Sequence, residues 1–261
     1  MYRPDFKTNK NGVPVLSKQQ IEVIGENFVR DFCPHALKNP QPLDVEGFVE
    51  VYLGCKLDYQ FLSHCGAFLG MMVFNATDKV IVYDPVNNRA EYIHADARTV
   101  IIDNTLLEDN QAHRYRFTLG HEAGHDIFHS QVYAFNPNQI SMFENSSANP
   151  MVQCRATMPV FSSYNEWTDV DRMEWQSNYF SAVILMPAVA VRKLWADHKF
   201  KKKGDILEAF SMVSKTAATF NVSPEAARIR LEALGILPKG LVNGDVSFLG
   251  YGGLTIENLA I

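Results

Sequence analysis

Two histidines and a glutamate in this sequence have a spacing that suits metal chemistry. Residues 121–125 have the pattern H-E-x-x-H. On a helix, residues i and i+4 share one face, so His121 and His125 can reach a single ion. Glu122 is rotated off that line and can face a metal-bound water, whose pKa zinc lowers to about 7. The motif predicts a zinc site with Glu122 as general base, although a solvated helix carrying these residues by chance is the alternative.

A catalytic zinc site needs a third protein ligand and leaves its fourth position to water. His129 continues the stripe, but it sits two turns from His121, about 12 Å along the helix axis. We therefore interpret His129 as a core histidine or as a contact of a ligand, and Asp126 points to another face. A ligand from a separate helix remains, such as Glu174, with Asn178 one turn later on the same face. The candidates are Glu166, Asp169, Asp171, Glu174 and His198.

The elements that must position these residues follow from hydrophobic spacing and from capping residues. Ser17 and Gln20 form a capping box that begins a helix, and Pro34 ends it. Apolar residues at helical or alternating spacing predict the other elements. The predicted helices cover residues 44–54, 110–129, 172–185 and 187–195, and the predicted strands cover 66–75, 79–83, 92–93 and 99–102.

Three local features refine this outline. Gly120 and Gly124 stand four apart inside the predicted 110–129 helix, which indicates close packing of another element against that face. Residues 130–173 show little periodicity, which favours a functional or mobile loop. A helical hairpin follows, whose second helix has Ser223 as N-cap, Pro224 at its first position and Gly235 at its stop.

Composition limits the class of protein. The 261 residues carry a net charge of −5, so a protein dominated by phosphate binding is disfavoured and no direct nucleic-acid partner is expected. The sequence has no signal-peptide pattern and no apolar run long enough to span a membrane. Four scattered cysteines form no C-x-x-C pair. We expect a cytoplasmic protein with reduced thiols, no membrane partner and histidine ligands for any metal.

Three blocks of this sequence resemble the ImmA/IrrE family of zinc metallo-endopeptidases. The first is 116–125, R-F-T-L-G-H-E-A-G-H, which many zincins share in part. The second is more specific: 174–182, E-W-Q-S-N-Y-F-S-A, followed by L-M-P at 185–187. The third begins with F-N-V-S-P at 220–224 and runs through R-L at 230–231. Their order also matches, so the resemblance covers roughly residues 44–237.

The resemblance implies that His121, His125 and Glu174 hold Zn²⁺ and that Glu122 is the general base. Ser177 stands where the family commonly has alanine, and the segment between the two motifs is long. Family members cut helix-turn-helix transcriptional repressors, often in response to DNA damage or to a mobile element's induction signal. The resemblance thus implies a protein substrate of this class and a role in bacterial or phage regulation.

The expected fold is α+β and zincin-like, with a small β-sheet, an active-site H-E-x-x-H helix and a mostly helical C-terminal half. We place the metallopeptidase domain at residues 1–203 and a helix-turn-helix-like segment with a tail at 204–261. A lone helix before Pro34 argues against a fused N-terminal DNA-binding domain. The alternative function is a non-catalytic regulator that keeps zinc in a closed four-ligand site and binds a partner or DNA.

Several other residues have two interpretations. Cys65 could cap the metal, although a buried inert thiol is the default. The strand at 99–102 is the strand nearest in sequence to the active-site helix, and we interpret it either as an edge strand that pairs with an extended substrate or as an ordinary strand of the sheet. Tyr164 and Tyr179 are possible oxyanion donors, but packed aromatic residues are more common. The lysines at 199 and 201–203 form a solvated or partner-steering face, and the arginines of the last helix are balanced by Glu225 and Glu232.

Overall fold

The computed structural model of the chain describes residues 1–133, 151–155, 167–198 and 205–242. The expected α+β architecture is confirmed, since these residues combine a small sheet with helices that dominate the C-terminal half. The strands are β1 (Lys56–Gln60), β2 (Phe68–Val73), β3 (Thr77–Asp84), β4 (Arg89–Ala95), β5 (Thr99–Asp103) and β6 (Met151–Arg155). The helices are α1 (Lys18–Phe32), α2 (Pro34–Lys38), α3 (Val45–Gly47), α4 (Ala112–Tyr133), α5 (Asp169–Leu185), α6 (Ala188–Leu194), α7 (Ile206–Phe220) and α8 (Pro224–Ala233).

The described residues fall into two compact units. The first takes residues 3–21 and 45–181, and the second takes residues 22–44 and 182–242. The division of the sequence at residue 203 stays a prediction, because that position lies outside the described residues.

A four-stranded sheet in the first unit has the order β1-β5-β2-β6. Strand β5 runs parallel to β1 and antiparallel to β2, and every residue of β5 is buried. The prediction that the 99–102 strand lies at an edge and pairs with substrate is therefore wrong. Because neighbouring strands already occupy both sides of β5, its backbone groups are committed to the sheet.

Strands β1 and β6 were not among the strands predicted from the sequence. Strand β1 follows a short π-helical turn, Phe48–Tyr52, which continues α3 where we predicted one regular helix. Strand β6 falls within the 130–173 segment, so that segment contributes a strand to the sheet. Strands β3 and β4 pair with each other as a separate hairpin, and its alternating Val80 and Val82 pack into the core beside Met71.

The contact between α4 and α5 confirms the prediction drawn from the two glycines. A Cβ atom on Gly120 would lie 2.5 Å from Ser181 Oγ, and one on Gly124 would lie 2.9 Å from Ser177 Cα. The serine positions fall by four as the glycine positions rise by four, so the helices run antiparallel. Ser181 Oγ also donates a hydrogen bond of 2.8 Å to the carbonyl of Phe117. Only glycine allows this approach, which outweighs the helix propensity that glycine loses.

The second unit contains the predicted C-terminal hairpin. Ser223 Oγ accepts a hydrogen bond from the Ala226 amide, with Pro224 at the first helical position, and Gly235 has a φ of +67° just after the helix. Arg230 is 2% exposed, and its guanidinium donates to the Met186 carbonyl and pairs with Glu22. The charge of Arg230 is therefore balanced by Glu22 within the second unit.

We expect Gly124→Ala to lower the free energy of unfolding by about 1–3 kcal/mol, although alanine favours a helix, because the backbone of α5 must move to admit the methyl group. Gly120→Ala should cost less, since it meets the end of the Ser181 side chain, and Ser181→Ala should recover part of that loss. Urea unfolding measures all three effects. A Gly124→Ala protein as stable as the wild type would contradict the close contact.

Candidate metal centre

Helix α4 places a stripe of buried histidines at successive turns. His121, His125 and His129 are at most 1% exposed. The Nε2 atoms of His121 and His125 lie 2.9 Å apart, so the two imidazoles of the H-E-x-x-H motif face one point. His129 turns its Nδ1 atom to Nδ1 of His125, at 2.9 Å. This position confirms the interpretation of His129 as a buried histidine that contacts a candidate ligand.

Glu174 reaches the same point from α5. Its Oε2 atom lies 3.5 Å from His121 Nε2, and its Oε1 atom lies 3.4 Å from His125 Nε2. Ligand atoms of these three residues all fall within 4.8 Å of one another, and the part of the chain that the structure describes contains no other such group. A tetrahedral zinc ion about 2.0–2.1 Å from each ligand would space neighbouring ligand atoms about 3.3–3.5 Å apart. The two distances to Glu174 match this spacing, and the 2.9 Å between the imidazole nitrogens is shorter than it, so the three residues have the chemistry and approximately the spacing to hold a metal ion.

Burial keeps the two imidazoles neutral. It lowers the pKa of His121 to about 4, with a contribution from the neighbouring His125, and it lowers the pKa of His125 to about 3. Neutral imidazole is the form that binds metals. His121 Nδ1 lies 3.0 Å from Asn178 Oδ1, one turn beyond Glu174 on α5. Because an amide oxygen can only accept, this contact assigns the His121 proton to Nδ1 and leaves Nε2 free.

Glu122 lies beside the histidines, and its side chain makes no hydrogen bond within the part of the chain that the structure describes. It is fully buried, and neither carboxylate oxygen has a partner within the described residues. Strand β2 comes close here, since a Cβ atom on Gly70 would lie 2.7 Å from Glu122 Oε1. Burial, followed by the charge of Glu174, raises the pKa of Glu122 well above its usual value. An unpaired carboxyl of this kind suits a group that exchanges a proton with water beside a metal.

The other candidate ligands have different contacts. Cys65 is an exposed free thiol and does not belong to the three-residue group, so the expectation of a buried thiol is wrong. The other described candidates contact other polar side chains. Asp169 accepts hydrogen bonds from Asn9 and Asn11, and Asp171 accepts one from Thr168. His198 lies 3.2 Å from Glu208. Glu166 lies outside the described residues.

Of the two possible oxyanion donors, Tyr179 and Tyr164, the structure describes only Tyr179. Tyr179 stacks on Trp175 with ring centroids 5.8 Å apart, which fits the packed-aromatic interpretation. Tyr164 and the lysine run at 199–203 lie outside the described residues. In the last helix, Arg228 pairs with Glu225 and Glu232 as expected, whereas Arg230 pairs with Glu22 instead.

Sequence reasoning missed two residues near the centre. Gln176 is 2% exposed, and its Oε1 atom lies 3.0 Å from His129 Nε2. Tyr133 ends α4 and stacks on Phe74, and burial together with the charge of Glu174 raises the pKa of its phenol to about 12. Tyr133 had a signal in the sequence, since it continues the four-residue spacing of the histidines. Gln176 had none.

An H-E-x-x-H helix beside a small sheet, with a carboxylate from a later helix, is the arrangement of zincin-like metallopeptidases. The family model for the IrrE N-terminal-like domain, Peptidase_M78, matches residues 77–232. This match covers more than half of the chain and includes both helices of the site, so the chain belongs to this peptidase family. No curated protein matches the chain. Within the described residues, no helix has the length and apolar character that crossing a membrane requires.

Glu122→Gln should stabilise the metal-free protein increasingly as the pH rises above about 5. The pKa of Glu122 is raised in the folded state, so stability that the carboxyl retains below about pH 4.5 is lost as the pH rises. The glutamine amide does not titrate, so the advantage of the variant should grow between pH 5 and pH 8. Urea unfolding of chelator-treated protein measures it, with the exposed Glu108→Gln as control. A difference that does not change with pH would contradict the buried carboxyl.

Cys65→Ser should leave metal binding unchanged, because the thiol is exposed and outside the ligand group. We expect the same zinc stoichiometry and a Kd within about twofold of the wild type, measured by competition with a chromogenic chelator. A tenfold or larger loss of affinity would place Cys65 among the ligands.

Proposed function

We propose that this protein is a zinc-dependent endopeptidase in which His121, His125 and Glu174 hold the ion and Glu122 is the general base. One observation carries the proposal: two neutral imidazoles and a carboxylate converge beside a buried glutamate that has no hydrogen-bond partner among the described residues. A structural zinc site would use four protein ligands. Within the described residues, three converge, which favours a catalytic site with room for water.

When bound, zinc would supply a Lewis acid that polarises the scissile carbonyl and lowers the pKa of a water molecule. The residues of the chain supply the proton transfers. Glu122 lies on α4 close to β2, and the described residues offer neither of its oxygens a hydrogen bond, so it can accept a proton from the attacking water. The same carboxyl, with its raised pKa, can return that proton to the leaving amine. Asn178 keeps Nε2 of His121 turned to the ion.

We further propose that the substrate is a regulatory protein, such as a helix-turn-helix transcriptional repressor, and that the enzyme acts in the cytoplasm. Family membership supports a protein substrate, and the resemblance to repressor-cutting proteases supports the finer class. The acidic net charge is compatible with an enzyme that acts on a DNA-binding protein without contacting DNA.

Two variants test the mechanism. Glu122→Gln should retain one zinc ion but slow proteolysis by a factor of about 10²–10⁴, because it keeps the ligands and removes the general base. Glu174→Ala should lose zinc. Elemental analysis and a cleavage assay on a purified helix-turn-helix repressor measure both effects, with Glu108→Gln as the matched control.

The outcomes separate the competing functions. If Glu122→Gln leaves the biological activity intact, the protein acts without proteolysis and the non-catalytic regulator is correct. If the wild type cuts unfolded casein but not the repressor, it is a peptidase and the proposed substrate class is wrong.

A further inference from the structure

A buried chain of hydrogen-bonding groups connects His125 to the backbone of the N-terminal segment. His125 Nδ1 lies 2.9 Å from His129 Nδ1, and His129 Nε2 lies 3.0 Å from Gln176 Oε1. Gln176 Nε2 donates a hydrogen bond of 2.7 Å to the carbonyl of Pro14. The three side chains are at most 2% exposed, so water cannot replace these partners.

The direction of every bond in this chain follows from its last member. A peptide carbonyl can only accept, so the amide group of Gln176 must face Pro14 and its oxygen must face His129. An amide oxygen also only accepts, so His129 carries its proton on Nε2. His129 is fully buried, and its two ring nitrogens face an amide oxygen and another imidazole rather than a carboxylate, so this ring carries a single proton and its Nδ1 is an acceptor. His125 must then donate from Nδ1.

We propose that His129 and Gln176 are positioning residues that lock His125 in the tautomer with the proton on Nδ1. This tautomer leaves the lone pair on Nε2, the atom that faces His121 and Glu174. The opposite tautomer would direct a proton at the position of the ion. It would also oppose like groups further along the chain, in a place that water does not reach, whereas the proposed tautomer opposes lone pairs only at the Nε2 atoms of His121 and His125, where an ion can bind between them.

The chain of hydrogen bonds from His125 ends on a residue that lies outside the region matched by the family model. Pro14 lies before residue 77, where the family match begins, yet its carbonyl fixes the orientation of the amide. The N-terminal segment also packs on α4 through Phe6, whose ring contacts Phe128 at 5.8 Å between centroids. His121 differs, since its Nδ1 contact is the side-chain oxygen of Asn178 on α5 and not a chain of groups that reaches the N-terminal segment. The segment before α1 thus belongs to the support of the metal centre.

The tautomer can be measured without metal and without activity. Long-range ¹H–¹⁵N correlation spectra of metal-free wild-type protein at pH 7.5 should show His125 protonated only on Nδ1 and His129 only on Nε2. This experiment does not depend on the proposed function. A His125 ring protonated on Nε2 would overturn the lock, even if the protein proved to be a zinc peptidase.

Variants test whether the lock serves the metal, and this arm rests on the proposed function. Gln176→Met keeps the length of the side chain but removes the acceptor, so His129 can move its proton to Nδ1 and reverse the tautomer of His125. Zinc affinity should fall by about 10–100-fold. Ser177→Ala, on the same helix, is the control, and its affinity should equal that of the wild type.

A second pair of variants, both at His129, controls for misfolding. His129→Asn and His129→Leu introduce side chains with the same branching at Cγ, but only asparagine places an acceptor near the position of Nδ1. Asparagine should therefore retain an affinity close to the wild type, whereas leucine should lose about 10–100-fold. If Gln176→Met and His129→Leu fold by circular dichroism and still bind zinc within threefold of the wild type, the positioning role is wrong.

Discussion

The close approach of α4 and α5 is the constraint on which the candidate centre depends. Gly124 lets the backbone of α5 come within van der Waals distance of α4 at Ser177, and Gly120 does the same at Ser181. Glu174 lies one turn before Ser177 on α5, so this register carries its carboxylate to the two imidazoles. A larger residue at either glycine would separate the helices and withdraw the third candidate ligand.

Burial then gives the residues of the site their chemical states. The same exclusion of water lowers the pKa of His121 and His125 and raises the pKa of Glu122, so three groups that would differ in charge in solution are all biased to be neutral. Glu174 is partly exposed and supplies negative charge at the point where they meet. A cation held there would favour the ionised form of Glu122, which is the form that can accept a proton.

Local patterns predicted the parts of the fold that depend on local physics. The H-E-x-x-H helix, the Ser17 and Ser223 caps, and the close packing at the glycines follow from helical spacing and from the size of one side chain. The order of the strands did not follow. The 99–102 strand has the same apolar pattern at an edge or in the centre, and only its pairing with β1 and β2 decides between them.

In the candidate site too, features set by local helical spacing were predictable and features set by distant contacts were not. Helical spacing alone could place His121 and His125 together, but Glu174 was one of five possible ligands until the family resemblance selected it. The orientation of His125 is harder to predict, because it depends on a carbonyl 162 positions from Gln176 in the sequence. A backbone carbonyl has no residue type that marks it in a sequence. The side chains that bind an ion can thus be recognised by their chemistry, whereas the atoms that fix their tautomers emerge only when the chain is folded.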